Sequence, residues 1–251
     1  IETAIQSLGL RELGPFDPRD KVIEYQAGLV DGPLVSMSNR EFVDELSTDS
    51  PAPGGGSVAA LCCAQAAGLV AMVANLTVGK KKYAAVQDRV QEIAVRGQEL
   101  KDFFLAAIDG DTDAFNAVMD CFRLPKSTSA QQAARDRAIA AATREATRVP
   151  LAVLTAVPGL LELAGEIGEI GNANSLSDAG VAALAAMAGA EGAYYNVLIN
   201  LESLAGLDQS EEPEFPATTR KAAGAALTRC EELAAATRSA IRGRLEAASD
   251  A

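Results

Sequence analysis

The sequence contains no His and no Trp, and aromatic residues make up only 4% of it. The absence of His removes His-based catalytic triads, His-ligated zinc and any imidazole general base, so acid–base work must fall to carboxylates, Lys, Tyr or Cys. Cysteine is scarce: Cys62, Cys63, Cys121 and Cys230 have no CxxC spacing, and two are adjacent. They make neither a zinc site nor a disulfide framework, which suits a reducing, cytoplasmic compartment. Positive charge is also in deficit, with 22 Lys and Arg against 34 Asp and Glu, a net charge of −12. A chain this acidic is repelled by phosphate backbones, which excludes nucleic-acid binding as a main activity.

What the chain has instead is alanine, 50 residues of 251, within an apolar content of 49%. That is enough to build a core rather than a disordered chain. Ala is the best helix former, and no strand pattern of any length occurs. At about 150 residues per domain, one large domain or one domain plus a fragment is expected. The chain opens on Ile1, carries no signal-peptide pattern, and reads as a fragment or a processed form.

Residues 1–36 differ from the rest: Pro15, Pro18 and Pro33 interrupt mixed charge without a sustained period, as in a short helix, a connector and a linker. Ser38-Asn39-Arg40-Glu41 has the form of a capping box opening a short helix to about residue 48. Ser-Pro-Ala-Pro-Gly-Gly-Gly-Ser (50–57) then breaks regular structure, and an uncharged run continues to Gly79. The run approaches the roughly 20 residues that cross a bilayer, and Lys80, Lys81 and Lys82 would flank it. However, it is Ala-dominated, holds Gln65, Gly68, Asn75 and Thr77, and has few Leu, Ile or Phe. A helix buried among other helices and packed through small residues fits better.

From Val90 the residues Ile93, Gly97, Leu100, Phe104, Ile108, Asp111, Phe115, Val118 and Phe122 recur every three or four positions. This is a long amphipathic helix with a bundle seam, expected to be interrupted or bent near Gly110 and to be ended by Pro125. Ser129 to Gln132 suggests a second capping box opening a long helix kinked at Pro150. Ser177 is the expected cap of a helix through about Leu204, and a Glu- and Pro-rich linker (207–216) precedes a last Ala-rich helix. The expected architecture is all-α: an up-and-down helical bundle of long, partly kinked helices.

Asp111 occupies an apolar stripe position, whereas Asp109 and Asp113, about 200° around the helix, should face water. A carboxyl turned into the bundle is desolvated, and desolvation raises its pKa into the range useful for general acid–base catalysis. The bland alternative is that Asp111 caps a new helix after Gly110 or satisfies a buried backbone donor. Calcium is a poor fit to the alternating acids, because Ala114 and Asp120 stand where an EF-hand requires Gly and Glu. Gly54-Gly55-Gly56-Ser57 leads into a helix, so its amides could cradle an anion or a polar ring edge, or merely reverse the chain. Lys80, Lys81 and Lys82 are either a solvated helix end or a gathering point for an anionic ligand. Asn172, Asn174, Ser177 and Asp178 cluster at a helix start, more amide side chains than capping needs. Asn196 and Asn200 share a helix face, where inter-helix hydrogen bonding is the plain explanation. Cys62 and Cys63 read as small core residues.

Several stretches together resemble the cyclodeaminase part of the formiminotransferase-cyclodeaminase family: Ser-Pro-Ala-Pro-Gly-Gly-Gly-Ser-Val-Ala-Ala (50–60), Asp-Gly-Asp-Thr-Asp-Ala-Phe (109–115), Arg-Leu-Pro-Lys (123–126), Gly171-Asn172, Ser177-Asp178, and Ala-Tyr-Tyr-Asn-Val-Leu-Ile-Asn-Leu (193–201). Residues 8–25 are similar to the tail of the family's transferase domain, which implies a tail and linker over 1–36 and a cyclodeaminase bundle over 37–251. The resemblance implies a dimeric helical bundle and a cytoplasmic folate enzyme of histidine breakdown that releases ammonia. It places the active-site Asp at Asp111. It further implies that Gly55, Gly56 and Ser57 bind the pterin or its linker, with Asn172, Asp178 and Asn196 near the ring system. Lys80, Lys81 and Lys82 would attract the glutamate tail of the folate substrate; they stand where the family often has Arg, which would lose bidentate contacts. Neither a metal nor a redox cofactor is implied. The rival expectations are a methenyltetrahydrofolate cyclohydrolase and a non-catalytic dimerisation bundle.

Overall fold

A computed structural model of the chain describes residues 32–207 and 211–249. The expected transferase-like tail lies, up to residue 31, outside the described residues. Among those described there is no strand; six α-helices follow one another: α1 (Asn39–Leu46), α2 (Gly55–Asn75), α3 (Gln87–Phe122), α4 (Ser129–Ile170), α5 (Leu176–Ser203) and α6 (Phe215–Ser249). Short 3-10 turns at Lys81–Val86 and Ala173–Ser175 join α2 to α3 and α4 to α5.

Successive long helices run antiparallel. Gly97 of α3 meets Ala71 of α2, while Ser57 near the start of α2 meets Ile108 further along α3. The helices α2, α3, α4 and α5 close a four-helix ring, and α6 lies along the groove between α4 and α5. This is the up-and-down bundle anticipated from periodicity. Its interior is dominated by α2 and α5, where Ala60, Ala67, Ala74, Ala183, Ala186 and Ala190 are buried. Small side chains let two backbones approach: a Cβ on Gly189 of α5 would overlap the Cys63 sulfur and lie 2.7 Å from the Ala59 carbonyl. By length and composition α2 and α4 could each cross a membrane. Here α2 is packed against α3, α4 and α5, so its apolar surface has protein on it.

Local signals were mostly accurate in kind and off by a residue in place. Ser38 and Glu41 form the expected capping box. The second box uses Thr128 and Gln131, one position before the expected pair, because the Thr128 hydroxyl accepts from the Gln131 N–H. Ser177 is not a cap: α5 starts at Leu176, and Asn172 instead caps the 3-10 turn before it. No break occurs at Gly110, since α3 is continuous over 36 residues. That continuity also disposes of Asp111 as the cap of a new helix.

The helix α4 likewise continues through Pro150 and Pro158 rather than ending at either. Proline lacks the N–H that would bond the carbonyl four residues back. At Pro150 that carbonyl belongs to Ala146, and the Asn200 side chain of α5 donates to it at 3.0 Å. The inter-helix role anticipated for Asn200 thus has a cause in the proline opposite. The end of the Glu- and Pro-rich linker is tied to α4 as well. Arg144, whose side chain is buried, pairs with Glu211 at 2.7 Å and Glu212 at 3.2 Å, and Arg148 reaches Glu212 at 2.8 Å.

Gly189→Ala gains about 1 kcal/mol in helix propensity but forces apart α2 and α5, where the obstruction includes backbone; overpacking of this kind costs about 1–3 kcal/mol. The expected outcome is a lower urea midpoint for Gly189→Ala and a higher one for Gly224→Ala in α6, where an added Cβ meets nothing within 4 Å. Equal shifts of the same sign would contradict this packing.

Candidate active site

A helix-length mismatch creates the site. The helix α2 has 21 residues and α3 has 36. Their contact runs from Gly97 beside Ala71 to Asp111 beside Gly56. Beyond Asp111, α3 overhangs the start of α2 by 11 residues, about 16 Å. The stripe residues Phe115, Val118 and Phe122 therefore have no α2 side chains to pack on. They do not extend the core, as the period implied, but form one wall of a cavity of about 610 Å³. The first turns of α4 and the last turns of α5 supply the other walls, and the 51–56 segment forms the base. The volume is in the range of small-molecule sites.

Asp111 stands at the floor, against the first turn of α2. A Cβ on Gly56 would overlap its carboxyl group, so glycine is what allows the approach. The Ser57 hydroxyl lies 2.9 Å from the Ile108 carbonyl, 3.3 Å from Asp111 Oδ2 and 3.3 Å from Thr112 Oγ1. Its single proton fits the Ile108 carbonyl best, leaving the Asp111 interaction the longer branch. Burial pushes the Asp111 carboxyl above its ordinary value, and hydrogen bonds from the Ser57 side chain and backbone act against that rise. The unpaired amides of the α2 first turn favour an anion there, as at any helix N-terminus. The net result is a half-buried acid that holds its proton more firmly than a surface carboxylate and faces a cavity.

Asp109 departs from the expectation that it faces water. It is partly buried and accepts from the Leu34 and Val35 N–H groups at 2.8 and 3.1 Å, pinning the turn that precedes α1. Asp113 is exposed, as expected.

The other anticipated site residues fall at two ends of the bundle. Gly55, Gly56, Ser57 and Asn196 gather around Asp111; the Asn196 amide lies beside Gly55 and donates to the Gly192 carbonyl at 2.8 Å. Lys80, Lys81 and Lys82 are exposed at the opposite end of α2, about 30 Å from Gly56 by helix rise. Asn172 sits there too, buried, with its N–H bonded to Thr77 Oγ1 at 2.8 Å and its side chain accepting from Asn174. Asp178 is in the first turn of α5 at that same end, where its charge suits the helix N-terminus. A single chain does not bring these five residues to the Asp111 cavity.

Sequence reading passed over Arg135, Asp136 and Thr143 of α4, all on the cavity wall. The signal was available: Asp136, Ile139, Thr143 and Ala146 recur at helical spacing, so a charged residue again sits on a stripe that continues into the core. Of the thiols, Cys63 and Cys230 are buried, and desolvation pushes Cys230 up to about 12.

Because burial raises the Asp111 pKa, its ionised form is less favourable in the folded chain than in the unfolded one. That penalty is absent below the ordinary carboxylate range and grows as pH rises through the folded value. Asp111→Asn, which can still receive the Ser57 hydroxyl, should therefore raise the urea midpoint at neutral pH, with the gain vanishing near about pH 3. A midpoint lowered at neutral pH would contradict the raised value.

The site can be set beside known proteins. A family profile described as formiminotransferase-cyclodeaminase matches residues 38–221. The formimidoyltransferase-cyclodeaminase of Mus musculus is 34% identical over 209 residues, covering 81% of this chain and 38% of the relative. The methenyltetrahydrofolate cyclohydrolase of Methylorubrum extorquens is 42% identical over 123 residues, covering 49% of this chain and 59% of that protein. Among solved structures, the formiminotetrahydrofolate cyclodeaminase of Thermotoga maritima matches with a TM-score of 0.73 at 26% identity, covering 84% of this chain and 98% of that one.

Proposed function

The chain belongs to the formiminotransferase-cyclodeaminase family, and on that premise we propose that it converts 5-formimidoyltetrahydrofolate to 5,10-methenyltetrahydrofolate with release of ammonia. The observation that carries this reading is the half-buried carboxyl of Asp111, its pKa raised by desolvation, at the floor of a cavity of small-molecule size.

The reaction needs little beyond positioning and one mobile proton. N10 of the substrate attacks the carbon of the protonated amidine carried on N5, giving a tetrahedral carbon that bears an amino group. N10 loses its proton, the amino group gains one and leaves as ammonia, and the carbon is left bridging N5 and N10. Holding N10 against the amidine carbon makes the attack intramolecular and supplies much of the rate. Asp111 takes the proton from N10 and delivers it to the departing amine, a task that favours a carboxyl whose pKa lies closer to neutrality. Gly55 leaves room for the ring system at the first turn of α2, Gly56 admits the Asp111 carboxyl there, and Ser57 orients it.

A second reading is supported by the identity to the Methylorubrum cyclohydrolase: the same acid would activate water to open the methenyl bridge to a formyl group. The broader coverage of the cyclodeaminase relatives favours ammonia release. The chain spans less than two-fifths of the length of the Mus musculus relative. A transferase domain in the native polypeptide, delivering the formimino group to this site, is part of the same proposal, as are a homodimeric assembly and a cytoplasmic location.

Supplying 5-formimidoyltetrahydrofolate and following methenyl absorbance together with ammonia tests the reading. Both products should appear in equal amounts, and Asp111→Ala should lower turnover by about 10²–10⁴-fold. Turnover by Asp111→Ala equal to wild type would remove the acid–base role, and formyl product from methenyl-folate as the main activity would favour the hydrolase.

A further inference from the structure

Among the described residues lining the Asp111 cavity, Arg135 is the one cation. Its guanidinium carbon lies 5.2 Å from the centroid of the Phe122 ring, and its Nε and Nη2 donate to the Phe122 carbonyl at 3.4 and 3.2 Å. The side chain is only 17% exposed, and its Nη1 stands 3.9 Å from the Asp136 carboxylate, outside hydrogen-bond reach. A guanidinium carries five N–H donors in a fixed fork. Two serve the Phe122 carbonyl, and the rest form no hydrogen bond to a described residue. An aromatic face and a carbonyl hold the group from one side, so its remaining donors are presented in a set geometry, as planar two-point capture of a carboxylate requires.

Position makes the ligand group specific. Phe122 follows Asp111 by 11 residues on the continuous helix α3, so the cation lies about 16 Å from the acid along the helix axis. On the α3 side the wall between them carries Phe115 and Val118, while Thr143 and Asn200 stand on the facing walls. A molecule filling the cavity would thus present a polar reacting end to Asp111, a flat middle, and an anionic far end. In a chain of net charge −12, with Asp111 and Asp136 in the same walls, an anionic end has no other cation in the cavity to meet. The lysines at 80–82 belong to the opposite end of the bundle.

We propose that Arg135 binds the carboxylate of the glutamate moiety of a folate whose pterin reacts at Asp111, so that the cavity discriminates pteroylglutamates from pteroyl compounds lacking the glutamate. This assignment rests on the folate reading above. Arg135 is a specificity residue: it grips the end of the molecule remote from the chemistry.

The test compares binding of two stable probes to the full chain, 5-formyltetrahydrofolate and the primary amide of 5-formyltetrahydropteroate, which keeps the ring system and the benzamide but has neither the glutamate nor any carboxylate. Wild type should bind the first more tightly. Arg135→Ala and the bulkier Arg135→Gln should each weaken it by about 10–100-fold, the range for a charged hydrogen-bonded pair, while binding of the amide stays within about twofold. Arg135→Lys should recover part of the loss. Equal weakening of both probes, in variants whose unfolding midpoints match wild type, would overturn the assignment, because Arg135 would then shape the cavity rather than read the tail. Unchanged binding of both would overturn it alone, leaving the folate reading intact. Failure of wild type to bind either probe would overturn the folate reading and this inference with it.

Discussion

The contact on which the rest depends is the approach of one carboxyl to the first turn of a neighbouring helix. Asp111 reaches α2 where Gly56 has no side chain, and Ser57, one position on, turns its hydroxyl to the same place. The two ingredients oppose each other. A helix N-terminus offers unpaired amides and a positive dipole end, which favour the carboxylate. Enclosure by the bundle strips water from the group, which disfavours it, and burial is the larger effect. An acid in that balance binds its proton more firmly than a surface carboxylate does. In a chain with no His, a desolvated carboxyl is one of the few side chains suited to acid–base chemistry nearer neutral pH.

The bundle exists, in functional terms, to bring those two helix segments together and then to leave a gap beside them. Closeness comes from alanine and glycine: at Gly189 against Cys63 there is no room for a larger group, and at Gly97 an added Cβ would crowd Ala71 at 3.0 Å. The gap comes from unequal length, because α3 outruns α2 and carries its apolar stripe past the end of its partner. The walls that close the gap are stiffened where the helices would otherwise be weakest. The carbonyl that Pro150 leaves without an N–H is met by Asn200, and Arg144 and Arg148 hold the acidic connector against α4. Stability and site are therefore built from the same elements, apart from the acid itself, whose desolvation works against folding.

Much of this was legible in one dimension. The period of α3 identified Asp111 as the polar member of an apolar stripe, and the Gly-rich turn before α2 marked a place where backbone could be approached closely. Local chemistry also announced the first capping box and the role of Asn200. Misreadings had a common origin in treating each helix alone. A glycine at position 110 weakens an isolated helix, yet α3 runs through it unbroken. Asp109 is a surface residue on a helical wheel, but the turn at 34–35 supplies two N–H groups to it. Arg135 went unnoticed because a charge in the first turns of a helix is ordinarily solvated, and nothing in the local pattern says that Phe122 lies beneath it.

Helical class, element order, the small-residue interior and the singular acid follow from composition and period, since these are properties of neighbours along the chain. Which polar residues share a cavity does not, because that depends on where helices of different length begin and end beside one another. Lysines 80–82 and Asn172 lie at one end of α2, and Asp111 and Arg135 toward the other, though all stood out equally, or not at all, as letters. Periodicity assigns each residue a face, and tertiary packing assigns it a height along the bundle. The chemistry of this chain depends on height.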